Sequence, residues 1–350
     1  MITYRLATSE DNQQLIELTA SSGMAGDIAL RIERHPDFFS LLNMRGPSKV
    51  FVAMDDDTII GSMCVSVQEV YVDKKIYSLH YIGDLKVATA YRNKGIGMGL
   101  CDSMANYGIS IDSELAFLNI AKGNAKPFTF FKKLTNVPAF EYIGIFNIHQ
   151  LIGKKRKAID PRYHIEASAV TDEVLDHLNA TYSRYELGPV ITEARLKDTQ
   201  LYTIRENNKL IATMCLVDTM NVKQNVVTRI SLKMRYGLKL MNTYCNIAGF
   251  SKMPRLNEPV RMMYIKYLAV NNGDKQIIKC LLNHARNIVY EKSYSFVSIG
   301  LHEKDPLNTS MKGLLRFTFN SVGMLQSTAN NIQLLEKVKQ GIPFEDYSLV

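Results

Sequence analysis

Apolar positions along this chain fall into short blocks split by polar turns, and the blocks recur in two matching sets. Residues 51–64 run as an apolar strand, the polar turn Asp55-Asp56-Asp57 and a second apolar strand. Residues 202–215 repeat that layout in the same register without a gap, with Glu206-Asn207-Asn208 at the turn. Each reads as a β-hairpin. A second pair follows: Tyr81, Ile82, Leu85 and Val87 recur as Tyr264, Ile265, Leu268 and Val270. The halves also open alike. Residues 4–7 and 163–169 read as strands, Ser9 and Thr171 stand where an N-cap belongs, and 13–18 and 174–178 follow helical spacing. A repeat of roughly 150 residues marks a duplicated domain rather than a solenoid turn. Later in each half, 115–120 and 296–301 read as strands, and 127–134 and 308–315 as helix starts. The order strand, helix, variable segment, hairpin, strand, helix, strand, helix predicts an α/β fold with a mixed central sheet flanked by helices. We expect one domain over 1–153, a second over 162–350 and a linker at 154–161.

The two halves differ most after the shared Leu-x-Val. In the first, Leu85-Lys86-Val87 leads into Arg92-Asn93-Lys94-Gly95-Ile96-Gly97-Met98-Gly99. This is a strand, a glycine-rich cationic turn and a helix start. Backbone N–H groups at a helix N-terminus lack intrahelical partners, and the helix dipole favours an anion there. Glycines let a bulky anion approach the backbone. Arg92 and Lys94 add charge, so the turn predicts a phosphate site. In the second half, Val270 is followed by Asn271-Asn272-Gly273-Asp274. One glycine remains, no arginine holds the motif position, and Asp274 repels phosphate.

The motif Arg92-x-x-Gly95-x-Gly97 after an apolar strand resembles the acetyl-CoA motif of the GNAT N-acetyltransferases. Downstream, Leu118-x-Ile120, Asn124 and Phe130-Phe131-Lys132-Lys133-Leu134 are similar to that family's next strand, its asparagine and its "FYxxLGF" helix. The resemblance covers the first half through its motifs and the second through the repeat. It implies two GNAT-like domains in tandem, the second lacking the cofactor motif, with acetyl-CoA as co-substrate and no metal. A strand over 79–87 would splay from the next, and the backbone of Leu85, Lys86 and Val87 would hold the pantetheine arm and polarise the thioester. The N–H groups of Asn93, Lys94, Gly95, Ile96 and Gly97 would cradle the pyrophosphate, and Asn124 would lie near the sulfur. Many relatives use a tyrosine to protonate the leaving thiolate. Phe131 stands at that position here, which leaves Tyr142, Tyr81 or water as the donor, or departure of CoA as the thiolate.

Amine attack also needs a base. Asp84, His80 and Tyr81 lie on the strand beside the expected acetyl site. Simple alternation puts Tyr81, Leu85 and Val87 on one face and His80, Ile82 and Asp84 on the other; a bulge would change that. Asp84 has no counterpart carboxylate in the second half, where Tyr267 replaces it, so Asp84 and Tyr81 are the catalytic candidates. Segment 21–47, with Arg31, Glu33, Arg34 and His35, falls where the family builds acceptor-side helices; an arginine there would suit an acceptor carboxylate.

Composition narrows the partners. The 350 residues carry a net charge of +8, with 46% apolar and 22% charged residues. That favours an anionic ligand in a globular chain. No stretch of about 18 apolar residues occurs. Residues 1–8 lack the blocks of a signal peptide, and the five cysteines show no CxxC spacing, so a cytoplasmic chain is expected. The run Lys154-Lys155-Arg156-Lys157 reads first as a solvated linker, with a nucleic-acid or membrane contact as the alternative. Residues 226–259 have no counterpart in the first half and read as a larger loop with a short helix, or as a lid or partner surface. The leading expectation is acetyl transfer from acetyl-CoA to a small amine, amino acid or peptide, without nucleic-acid or membrane partners. A CoA-binding sensor without turnover and a transferase using a larger acyl or aminoacyl donor are the alternatives. The oligomeric state is left open.

Overall fold

The computed structural model describes residues 1–21, 23, 28–124, 130–131, 138–155 and 162–350. The first half contains β1 (Ile2–Leu6), α1 (Asn12–Ala20), β2 (Ile28–Glu33), α2 (Ser40–Asn43), β3 (Ser48–Asp55), β4 (Thr58–Val72), β5 (Lys75–Val87), α3 (Ile96–Ser110), β6 (Leu115–Ala121) and β7 (Glu141–Ile152). The second contains β8 (Ile165–Ser168), α4 (Asp172–Tyr182), β9 (Gly188–Pro189), α5 (Glu193–Leu196), β10 (Thr199–Glu206), β11 (Lys209–Val217), β12 (Gln224–Ile230), α6 (Leu232–Ala248), β13 (Met262–Val270), α7 (Lys275–Glu291), β14 (Phe296–His302), β15 (Arg316–Ser327) and α8 (Ile332–Gln340).

Both expected hairpins form, β3–β4 and β10–β11. Asn207 and Asn208 both take positive φ, 49° and 64°, the backbone of a two-residue type I′ turn. Thr171 caps α4 as read, its hydroxyl accepting from the Val174 N–H at 3.4 Å. At the other repeat the cap is Thr8 rather than Ser9, closed by Asp11 in a capping box. Residues 308–315 form only part of a 3-10 turn over Pro306–Met311. The expected helix over 127–134 lies almost wholly outside the described residues.

The strands join in one sheet, ordered β1-β3-β4-β5-β6-β15-β7-β14-β13-β11-β10-β8, with β9 added along β4. Its centre departs from the simple repeat. β15, near the end of the chain, lies between β6 and β7 of the first half, and β7 pairs in turn with β14 of the second. Each half thus lends one strand to the other. Helices cover both faces. Ile96, Leu100, Cys101 and Met104 of α3 pack with Ile60, Met63 and Ile82; Leu15, Ile16 and Leu18 of α1 pack on the opposite face with Val50 and Val52. In the second half, Ile277, Leu281 and Ala285 of α7 pack with Met214, Met263 and Val297.

Two segments differ from the sequence reading. Residues 28–33, expected in a helical region, form β2 and pair with β12 from the other half, in a two-stranded ribbon off the main sheet. Residues 226–259 contain the 17-residue α6, with Ser231 as its N-cap and Gly249 (φ 69°) closing its C-terminus.

Candidate functional site

The first half opens where β5 and β6 part. They pair in parallel only from Leu79–Leu115 to Ile82–Leu118, though β5 continues to Val87 and β6 to Ala121. The cause is a bulge in β5. Ser62 of β4 faces Lys86 while Cys64 faces Gly83, which leaves one extra residue on β5, and Asp84 takes φ 49°. The bulge overturns the simple alternation. Leu85 and Val87 pack with Ile82 on the α3 side, whereas Tyr81 faces the opposite cluster with Phe117 and Phe146.

Beyond β5 the chain turns through Thr89–Tyr91, held by the Tyr91 hydroxyl on Asp55 at 2.7 Å. Asn93 (φ 62°) and Gly95 (φ 81°) then reverse the backbone into α3. Gly95 is the N-cap of α3 and supplies no side-chain cap. Among the described residues, no backbone carbonyl accepts from the N–H groups of Asn93 to Gly97; the first helical bonds begin at Met98 and Gly99, both to the Gly95 carbonyl. Arg92 and Lys94 are exposed beside this opening. The glycines divide the work. A Cβ on Gly95 would meet open space, one on Gly97 would press the Phe130 ring at 3.1 Å, and one on Gly99 would strike Tyr4 at 2.2 Å. Gly99 therefore makes room for Tyr4 rather than for an anion. Asn124 is exposed just past the end of β6, its N–H on the Ala121 carbonyl.

The same place in the second half is closed. β13 and β14 also part after a short parallel stretch, Met262–Tyr264 against Phe296–Ser298. Asp274, however, caps α7, its carboxylate accepting from the N–H groups of Gln276 and Ile277 at 2.7 and 3.2 Å. The N–H of Leu268, the counterpart of Leu85, donates to the Tyr182 hydroxyl at 2.9 Å. Phe344, Glu345 and Tyr347 fill the gap, with Tyr347 stacked so closely on Gly300 that a Cβ there would lie 2.0 Å from its ring.

On the face of β5 away from α3 lies a buried ionic cluster. Arg34 donates to Asp84 at 2.5 Å, their side chains 4% and 14% exposed. Burial alone would raise the Asp84 carboxyl, but Arg34, Lys86 and Lys223 together hold it below the usual carboxylate range. Lys223, contributed by the second half, is brought down to about 7 by burial and by Arg34, with Asp84 opposing; its ammonium donates to the Val350 carbonyl. The Arg45 guanidinium lies 3.7 Å over the Tyr81 ring and donates to Glu345 at 2.8 Å. Burial pushes the Tyr81 hydroxyl well above the ordinary phenol range. A crevice of about 920 Å³ opens between the halves, lined by Arg45, Glu69, Arg195 and Asp218 among others.

The remaining candidates fall elsewhere. Phe131 is buried against Phe130 and Phe140, ring centroids 5.2 and 5.4 Å away. The Tyr142 hydroxyl meets Glu303 at 3.4 Å. His80, which the sequence places beside the expected acetyl site, is 3% exposed and lies against Gly108 of α3. Gly108 is twelve residues along the helix from Ile96, about 18 Å by helical rise. Burial lowers its pKa from 6.5 to about 4. The folded state then binds fewer protons than the unfolded chain between pH 6.5 and 4, so stability falls as pH drops through that window. We expect a loss of up to about 3 kcal/mol. Denaturant titration of wild type and His80→Leu across this range tests it: the variant's curve should be flatter by that amount, and equal slopes would refute the assignment. The sequence reading missed Arg45 and Lys223. Neither sits in a motif; both act through contacts from distant segments.

The fold is that of the acyl-CoA-dependent N-acyltransferases. More narrowly, residues 6–134 match the acetyltransferase (GNAT) family model. Solved structures agree in fold at low identity. A GCN5-related N-acetyltransferase from Anabaena variabilis is 11% identical with a TM-score of 0.53, over 94% of this chain and 73% of that one. A probable N-acyltransferase from Enterococcus faecalis is 10% identical with a TM-score of 0.55, over 94% and 73%. Saccharomyces cerevisiae N-myristoyltransferase with bound myristoyl-CoA is 10% identical with a TM-score of 0.58, over 93% and 82%. A search of curated proteins gives no match.

Proposed function

We propose that this chain transfers an acetyl group from acetyl-CoA to a primary amine, directly, within a ternary complex. One observation carries the proposal: of two equivalent helix starts in a duplicated fold, the one at α3 is uncapped beside a splayed strand pair, and the one at α7 is closed by Asp274. The N–H groups of Asn93 to Gly97, with Arg92 and Lys94, suit a pyrophosphate. The freed backbone of Leu85, Lys86 and Val87 suits the pantetheine arm, and Asn124 sits at the far lip of the opening. The unit 1–153 carries the cofactor and the unit 162–350 completes the acceptor side; Lys223 beside Asp84 and the crevice between the halves support that division.

Direct transfer is favoured over an acyl-cysteine because burial raises the thiols of Cys64, Cys101 and Cys215, the latter two to about 12, and a thiol attacks only as thiolate. Asp84 is assigned an orienting part toward the amine, because its cationic neighbours leave it little basicity. Tyr81 supports Arg45 and keeps its proton. With Phe131 in an apolar cluster, CoA leaves as the thiolate, and the proton that the attacking amine loses reaches it through water.

Titration calorimetry and a free-thiol assay test this together. We expect one acetyl-CoA bound per chain, and thiol release with at least one class among small amines, amino acids and peptides. No binding at micromolar cofactor would sink the proposal, two sites per chain would refute the closed second half, and binding without release across the panel would favour a sensor. Acetyl-CoA and long-chain acyl-CoA run side by side decide the donor, since a neighbour of similar fold carries myristoyl-CoA.

A further inference from the structure

We propose that α6 docks this protein on a bilayer surface containing anionic lipid. The sequence reading assigned no membrane partner; the fold brings together two segments which that reading treated apart. α6 lies on the surface with a narrow inner stripe, in which Leu238, Met241, Cys245 and Ala248 pack into the second half. The opposite stripe is apolar and bare. Leu232, Tyr236, Leu240, Tyr244 and Ile247 are 72%, 71%, 74%, 53% and 84% exposed. Their spacing of four, four, four and three residues keeps them on one side of a helix. Scattered exposed apolar residues are ordinary, but a continuous stripe of five along a helix is not.

Charge selects the occupant. Residues 219–257 contain no Asp or Glu and expose Arg229, Lys233, Arg235, Lys239, Lys252 and Arg255. The basic run at 154–157 begins at the end of this helix: the Lys155 N–H donates to the Gly249 carbonyl, and Lys154 lies 4.6 Å over the Phe250 ring. A helix that presents an apolar stripe with tyrosines, edged by long cationic side chains, fits the headgroup boundary of a membrane. Phosphates of a nucleic acid would match the cations but leave Leu232, Leu240 and Ile247 against charge. No helix among the described residues is long and apolar enough to cross a membrane, so the contact is one of lying on the surface.

The chain contains no tryptophan, so Leu240→Trp places a single reporter on the stripe. The experiment uses the full chain with vesicles of phosphatidylcholine alone or doped with phosphatidylglycerol. We expect the reporter's emission to shift to the blue with the doped vesicles, and cosedimentation to be at least about tenfold stronger than with phosphatidylcholine. Tyr236→Glu with Leu240→Glu should reduce that binding by a similar factor while melting temperature and CoA affinity stay unchanged. Four results overturn the proposal. One is no binding to the doped vesicles. Another is binding indifferent to the double substitution. The third is a self-association in light scattering that the double variant abolishes while vesicles bind neither form. A duplex oligonucleotide that displaces the vesicles and binds the double variant as tightly as wild type would likewise assign the surface to nucleic acid.

Discussion

Replacing Gly95 by aspartate is expected to weaken acetyl-CoA binding at least about a hundredfold, roughly 3 kcal/mol. The substitution gives α3 the feature that α7 already has, a carboxylate at the helix start. Two unit charges about 4 Å apart at an effective dielectric near 20 interact with about 4 kcal/mol, so a carboxylate beside a bound pyrophosphate costs an amount of that order. Sterics do not confuse the result, because a Cβ on Gly95 meets open space. Backbone conformation does contribute, since Gly95 sits at φ 81°. Gly95→Asn controls for it: asparagine is nearly isosteric, uncharged and among the residues most tolerant of that region. Calorimetry on the three proteins separates the terms. Asparagine should retain most of the affinity and aspartate very little. Aspartate binding as tightly as wild type would refute the phosphate cradle; equal losses in both variants would show that the backbone, not the anion, demands glycine there.

The parts of this fold that were legible in the sequence are those set by neighbouring residues. The β10–β11 hairpin announces itself through Asn207 and Asn208, which occupy the positive-φ positions a tight turn requires. The glycine turn that opens α3 is legible for the same reason: Gly95, at φ 81°, and the cations around it lie within a few residues. What escaped depends on distant chain. β2 forms because β12, almost 200 residues later, supplies its only ladder among the described residues. The exchange of β7 and β15 rests on pairings between the two halves, and the filling of the second cleft by Phe344 and Tyr347 leaves no local pattern. The bulge at Asp84 is the instructive case. Its single extra residue turned Leu85 and Val87 to the face opposite the one that alternation assigns. α6 could have been found: Ser231 and Gly249 bracket it as cap and stop, but its exposed apolar stripe disguises the usual one-faced pattern.

Arg34→Ala is expected to destabilise the fold by about 3–5 kcal/mol, the usual cost of leaving one partner of a buried ion pair alone. The pair is almost wholly enclosed, and it joins the chain just after β2 to the bulge that parts β5 from β6. Without Arg34, Asp84 keeps only Lys86 and Lys223 against the burial penalty. Arg34 in turn has little elsewhere to go: its Nε and Nη1 atoms are already buried without a partner among the described residues, so Asp84→Asn should also be costly. Removing both charges, as Arg34→Met with Asp84→Asn, should cost clearly less than the sum of the single changes, because the double variant buries no unpaired ion. A melting temperature lowered by more than about 5 °C in Arg34→Ala is the first readout. The second decides what the pair is for. If it sets the bulge, CoA affinity falls in Arg34→Ala together with stability, and partly returns in the double variant. If Asp84 instead takes the amine's proton, Asp84→Asn binds CoA normally but loses turnover, and Arg34→Met added to it restores no turnover. Single variants that melt within a degree of wild type would remove the ion pair from both roles.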